Sequence, residues 1–191
     1  MTVPDWNVAG VLPPIRPGES GTSRDRSPYP VDLVELVDRF AISPERMAIL
    51  DGLLRFRNEL HQAGIVSGFQ WLDGSYLEDV KTQEDREPCD VDVVTFFDLP
   101  TGLNQQSLIQ QHGNLFDNIQ IKTTYVVDAY FVDLSLPADP FLVQNVAYWY
   151  SIWSHRRDGL WKDFVQVDLN PAQDAVARER LKDIQGVNRY E

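Results

Sequence analysis

Two stretches decide the fold: Trp71-Leu72-Asp73-Gly74-Ser75 and, after a charged interval, Asp90-Val91-Asp92-Val93-Val94. The first closes an apolar segment, residues 69–72, that runs into a turn. The second opens residues 89–97, rich in Val and Phe with acids interleaved, and both segments read as strands. Side chains two apart on a strand share a face, so Asp90 and Asp92 project together while Val91 and Val93 go to the other side. Adjacent carboxylates repel unless a positive charge lies between them, and a hard divalent cation with oxygen ligands, above all Mg²⁺, meets that demand. The plain alternative is an edge strand carrying two solvated acids. Gly74-Ser75 adds a second element. A glycine after a strand permits a tight turn and close backbone approach, leaving N–H groups and the Ser75 hydroxyl to bind phosphate oxygens.

Outward from this pair, the pattern predicts a helix from residue 31, with Leu33, Leu36, Val37 and Phe40 at three- and four-residue steps. Ser43-Pro44-Glu45 opens a second helix with an N-cap, a proline at the first position and an early acid; its apolar face carries Met47, Leu50, Leu53, Leu54 and Leu60, and Gly64 ends it. Residues 78–87 read as a solvated, charged loop. A helix is expected over 107–116, one or two strands over 120–136 with Asp128 and Asp133 inside, and a helix carrying Val143, Val146, Ala147, Tyr150 and Ile152 that ends near His155. Residues 164–169 alternate as a last strand and 171–184 form a terminal amphipathic helix. The expected organisation is an N-terminal arm and loop over 1–30, then a single α+β domain over 31–191.

The 191 residues include 17 Lys and Arg against 29 Asp and Glu, a formal net charge of −12. Such a surface repels a phosphate backbone, which disfavours bulk DNA or RNA binding. The lone Cys89 excludes an intramolecular disulfide and a cysteine-rich zinc site, and the expected compartment is the reducing cytoplasm. No run approaches the roughly 20 apolar residues of a membrane span, so no membrane partner is expected.

Leu72, Gly74-Ser75 and Asp90-Val91-Asp92-Val93 resemble the signature of nucleotidyltransferases of the DNA polymerase β type. The spacer, residues 76–89, is longer than is usual there. Most of the chain is similar to a bacterial family of uncharacterised, nucleotidyltransferase-like proteins with a domain-of-unknown-function label (DUF6932-like). That similarity runs through Gly10-Val11-Leu12-Pro13-Pro14, the two stretches above, Asp128-Ala129-Tyr130-Phe131, and Arg157-Asp158-Gly159 followed by Lys162-Asp163 in place of the usual Lys-Gly. The resemblance implies a polymerase β palm-type mixed β-sheet with helices packed on one face, and transfer of a nucleoside monophosphate from an NTP to a hydroxyl of a protein, an RNA end or a small molecule. It implies two Mg²⁺ ions held by Asp90, Asp92 and Asp128 as catalytic and metal-binding residues, and Gly74, Ser75 and Lys162 as nucleotide-binding ones. Asp128 and Asp133 compete as third acid. They lie five apart, on opposite faces of a regular strand, and the resemblance favours Asp128 as the acid that opens a strand. Relatives of this type act in toxin–antitoxin pairs, and a phage-defence role is the companion expectation. The alternatives are a catalytically silent nucleotide-binding module acting through a partner protein, and an α+β domain with no nucleotide.

Lys122, Arg156, Arg157 and Lys162 are candidates to offset triphosphate charge, although His155-Arg156-Arg157 also suits the end of a helix. Tyr148, Trp149, Tyr150, Trp153 and Trp161 read as core or interface, with base stacking as the alternative. His61 and His112 lack metal-ligand spacing.

Overall fold

The computed structural model describes residues 2–136 and 138–187. Residues 137 and 188–191, inside the expected 31–191 domain, lie outside the described residues. Helix α1 (Leu33–Phe40) starts where the Asp32 side chain accepts from the Glu35 N–H, and buries Leu33, Leu36, Val37 and Phe40. Helix α2 (Pro44–Gln62) starts at the Ser43 cap. Strand β2 (Gly68–Asp73) leads into a 3-10 turn and a five-residue helix, α3 (Val80–Glu84). Strand β3 (Val91–Phe97) follows, then α4 (Gln105–His112) and α5 (Asn118–Tyr125). Strand β4 (Val127–Asp133), α6 (Pro140–Trp153), β5 (Val165–Asp168) and α7 (Asp174–Val187) complete the chain. With β1 (Tyr29–Val31), the strands form one mixed sheet in the order β1-β5-β2-β3-β4. The β2–β3 and β2–β5 pairs are antiparallel; β3–β4 and β1–β5 are parallel.

Strand alternation sorts the side chains onto two faces. Gln70, Leu72, Thr95 and Phe131 point toward α2, where Arg57 donates to Gln70 at 2.7 Å and Phe56 meets Phe131 edge-on at 6.3 Å. Phe69, Trp71, Asp73, Asp92, Phe96, Asp128 and Tyr130 point the other way. That face is partly roofed by α6: Trp149 lies against Tyr130 (4.6 Å between ring centroids), Tyr150 against Trp71 (6.4 Å) and Trp153 against Phe164 (5.8 Å). The expected single helical face is therefore corrected. An uncharged helix rich in aromatics can pack on an apolar sheet surface from either side.

Two local expectations change as well. Of the one or two strands expected over residues 120–136 there is one, and the start of that stretch is helical instead: Asp117 caps α5 by accepting from Gln120 N–H, and Val126 closes it in the left-handed region. Gly52 lets the Tyr125 carbonyl approach α2 more closely than any Cβ would allow. Residues 78–87 are not a solvated loop throughout: they contain α3, and Glu78 is buried. Within the arm, Val11 and Leu12 are buried, and Trp6 donates its indole N–H to the Leu77 carbonyl. Among the described residues, no helix is long and apolar enough to cross a membrane.

Candidate functional site

Register brings three acids into a row. Asp73 at the end of β2 pairs across with Asp92 on β3, and Asp92 pairs across with Asp128 on β4. All three lie on the face that α6 partly covers. Beyond Asp73, Gly74 turns the chain with φ +87°, and a Cβ built there would overlap Oδ2 of Asp92. The glycine is thus the seat on which the Asp92 carboxylate rests. Gly74→Ala is expected to destabilise the protein by about 1–3 kcal/mol, the ordinary cost of forcing a side chain into that backbone region, and to push Asp92 out of the row. Urea unfolding checks it; a variant as stable as the wild type contradicts the close seat.

The partners of these acids differ. Lys162 Nζ stands 3.0 Å from Asp73 Oδ2 and 3.0 Å from Glu78 Oε1, all three residues buried. Burial pulls against the Lys162 ammonium, but Asp73 and Glu78 outweigh it and raise its pKa. Asp73 is pushed up to about 7 by burial, against the pull of Lys162, and its Oδ1 has no hydrogen-bond partner among the described residues. At the other end of the row, Lys122 Nζ bridges Asp90 Oδ2 at 2.7 Å and Asp128 Oδ2 at 2.9 Å. Asn118, one helical turn earlier on α5, donates to Asp128 Oδ1 at 2.8 Å. Burial raises the Asp128 pKa, but the hydrogen bonds from Lys122 and Asn118 outweigh it, so the carboxyl lies below its usual range.

Asp92, in the middle, makes no ion pair and no side-chain hydrogen bond among the described residues. Burial first, then the charges of Asp90 and Asp128, push it up to about 6. Lys162 and Lys122 pull the other way without pairing with it.

A cleft of about 730 Å³ opens beside this row. Its floor carries Asp73, Asp92 and Glu78, Ser75 stands on its wall, and Ile152 and Trp153 of α6 border it. Cations form much of the rim. Arg156 faces Glu78 at 3.6 Å and Glu84 at 3.5 Å, and Arg86 pairs with Glu84 at 2.7 Å. Arg157, exposed at the mouth, makes no ion pair among the described residues. The rim is of mixed charge, since Glu84 and Asp158 also line the cleft and Asp158 faces Arg156 at 3.6 Å, which leaves Arg157 as the rim arginine without an ion pair among the described residues.

The structure thus brings Asp90, Asp92 and Asp128 together with Gly74 and Ser75. Asp133 lies at the far end of β4, opposite Phe97, where it accepts from Gln105. Lys162 reaches the cleft but is already committed to two carboxylates. The aromatic group splits: Trp149, Tyr150 and Trp153 pack on the sheet, while Tyr148 and Trp161 are exposed. Sequence reasoning missed Asp73, Glu78 and Asn118 as site residues. The alternation of Phe69, Trp71 and Asp73 carried a signal for the first; nothing local marked the other two.

The donor chemistry, hard carboxylate oxygens throughout, suits a divalent cation such as Mg²⁺. Among the described residues, no group of three or more His, Cys, Asp or Glu could hold a metal ion. A model for a family described as a family of unknown function (DUF6932) matches residues 4–168. No curated protein and no solved structure matches.

Proposed function

We propose, from the premise that the chain belongs to the family of unknown function DUF6932 and that membership brings no activity with it, that the protein is a Mg²⁺-dependent nucleotidyltransferase on a palm-type sheet. The observation that carries this is Asp92: a carboxylate without an ion pair or side-chain hydrogen bond among the described residues, seated on the Gly74 corner between Asp73 and Asp128 and lining a cleft that also holds Arg86, Arg156 and Arg157. A solvated edge-strand acid would have none of these neighbours.

Asp90, Asp92 and Asp128 would hold the Mg²⁺ ions, which supply Lewis-acid activation of an acceptor hydroxyl and neutralise polyphosphate charge. The chain's own groups do the rest. The Ser75 hydroxyl, half-buried on the cleft wall and without a side-chain partner among the described residues, donates to a phosphate oxygen. Arg157 draws a polyanion to the mouth of a protein whose net charge would otherwise repel it, whereas Arg156 is engaged by Glu78, Glu84 and Asp158. Lys162 neutralises Asp73 and Glu78, so it shapes the corner rather than gripping phosphate. Asn118 orients Asp128.

Thermal unfolding with each NTP, with and without Mg²⁺, tests the reading in wild type and Asp90→Ala/Asp92→Ala. Saturation near 100 times Kd stabilises by about 2.7 kcal/mol, and that gain is expected only with Mg²⁺ and only in the wild type. α-labelled NTP and a cell lysate then reveal the acceptor. Identical melting curves under all conditions would remove the nucleotide. A second reading, a nucleotide-binding module without catalysis, is favoured by the Lys122 bridge and the engagement of Lys162; Mg²⁺-dependent stabilisation with no transfer of label to any acceptor supports it.

A further inference from the structure

We infer that the outer flank of α6 is a self-association surface, on which two copies of this chain pair antiparallel about a twofold axis. Phe141, Asn145, Tyr148 and Ile152 recur at steps of four, three and four residues, so they form one stripe along the helix. The inner face of α6 is already covered, with Trp149, Tyr150 and Trp153 lying on the sheet. The stripe has no such cover. Phe141 is 66% exposed, Tyr148 56% and Ile152 39%, and the Asn145 amide and Tyr148 hydroxyl have no hydrogen-bond partner among the described residues. Ile109 of α4 and Leu136 border the same apolar cavity as Phe141, and both are exposed. Together these side chains leave on the order of 500 Å² of apolar surface in water, the upper end for a monomer and most of the roughly 800 Å² per partner that a stable interface buries.

Charge and symmetry point to a second copy as the occupant. Two chains of net charge −12 repel each other, yet no Asp, Glu, Lys or Arg lies in Pro140–Trp153, so α6 offers a surface on which they can meet without facing like charges. The spacing of the stripe reads the same in both directions. Reversed against itself, it sets Phe141 of one copy against Ile152 of the other and Asn145 against Tyr148, so that apolar meets apolar and the unpartnered amide meets the unpartnered phenol. The helix ends agree with this direction. Helix α6 opens at Asp139, which is exposed and makes no ion pair among the described residues, and it runs out into His155-Arg156-Arg157. Antiparallel pairing lays each acidic start beside a basic end and opposes the two helix dipoles, whereas parallel pairing sets like on like. A partner of different sequence would require neither the reversible spacing nor the opposite charges at the two ends. In the pair, Phe141 of the second copy stands beside Ile152, which borders the acidic cleft, so association adds an apolar side chain at its mouth.

Sedimentation equilibrium of the full chain at physiological salt tests this, with a dimer of twice 21.9 kDa expected at a Kd of about 1–100 μM. Tyr148→Glu puts two like charges close to the twofold axis and is expected to weaken association about tenfold or more. Val176→Glu gives the same charge to an exposed apolar residue of α7 and should stay within about twofold of wild type. Orientation is read with a short bismaleimide in a Cys89→Ser background, which removes the one native thiol. Phe141→Cys mixed with Ile152→Cys should cross-link, and neither should cross-link alone, because like positions in the antiparallel pair lie about 16 Å apart along the helices. A monomer at concentrations up to about 0.3 mM overturns the proposal, as does a dimer that Tyr148→Glu weakens no more than Val176→Glu. Cross-linking of Phe141→Cys to itself, or none in the mixture, overturns the antiparallel arrangement. Tyr148 and Val176 are both exposed, and circular dichroism of each variant confirms that the comparison is between folded proteins.

Discussion

Replacing Arg57 with leucine is expected to lower the unfolding free energy by about 3–5 kcal/mol, the usual cost of removing one partner of a buried ion pair. The Arg57 side chain is fully buried under the sheet. It meets Asp174 through two parallel hydrogen bonds of 2.8 Å, donates to Gln70 Oε1 at 2.7 Å and reaches the Asp168 carbonyl at 3.0 Å. Gln70 in turn donates to Thr95, so one guanidinium ties α2 to β2, β5 and α7, with β3 reached through Gln70. Leucine fills most of the volume but leaves the Asp174 carboxylate with no cation beside it except the His61 ring, Nδ1 at 3.9 Å, whose pKa burial lowers and which is therefore mostly neutral at neutral pH. Asp174 opens α7, and the helix N-terminus still favours its charge, which places the cost toward the lower end. For a domain of this size the loss amounts to about 10 °C in Tm. Arg57→Leu/Asp174→Leu should recover much of it, since both charges then leave the interior together. A single variant within 1 kcal/mol of wild type in urea, at unchanged m-value, would contradict this account.

How far the sequence announces this structure depends on the range of the interactions. Alternation in residues 69–72 and 89–97 and the Ser43 cap are local, and they yielded β2, β3 and the start of α2 near their observed bounds. The spacing of Asp90 and Asp92 likewise put both carboxylates on one face before their neighbours were known. Helix α5 was hidden because Ile121, Thr123, Thr124 and Tyr125 favour strands intrinsically and outweigh the local Asp117 cap, whereas its close approach to Gly52 is decided by packing. The pairing of Lys162 with Asp73 and Glu78 joins residues more than 80 positions apart, and no periodicity encodes such a meeting. The side of the sheet on which α6 lies was equally silent, since a helix without charges has no polar face to declare its orientation.

The second large effect is on pH dependence. In metal-free buffer, Asp92→Asn is expected to make the protein more stable at pH 8 by as much as about 3 kcal/mol, and this advantage should vanish as the pH falls toward 4. The sign follows from linkage. Burial and the neighbouring acids raise the folded-state pKa of Asp92 to about 6, above the ordinary carboxylate value of 3.8. Between those values the folded wild type binds more protons than the unfolded chain. Its stability therefore rises as the pH falls through 6, is fully regained below 3.8, and is lost again on the way up. Asparagine never carries the charge and is spared that loss. Asp73 and Asp163, both pushed up to about 7, titrate in the same direction, so the wild-type curve alone mixes three groups; the difference between wild type and Asp92→Asn isolates one. Mg²⁺ supplies the missing positive charge directly. Its addition at pH 8 should stabilise the wild type and leave Asp92→Asn nearly unmoved, closing the gap between them. A functional acid that costs stability until its cation arrives is the behaviour expected of a ligand, whereas an ordinary surface carboxylate would show parallel pH curves and no response to the ion.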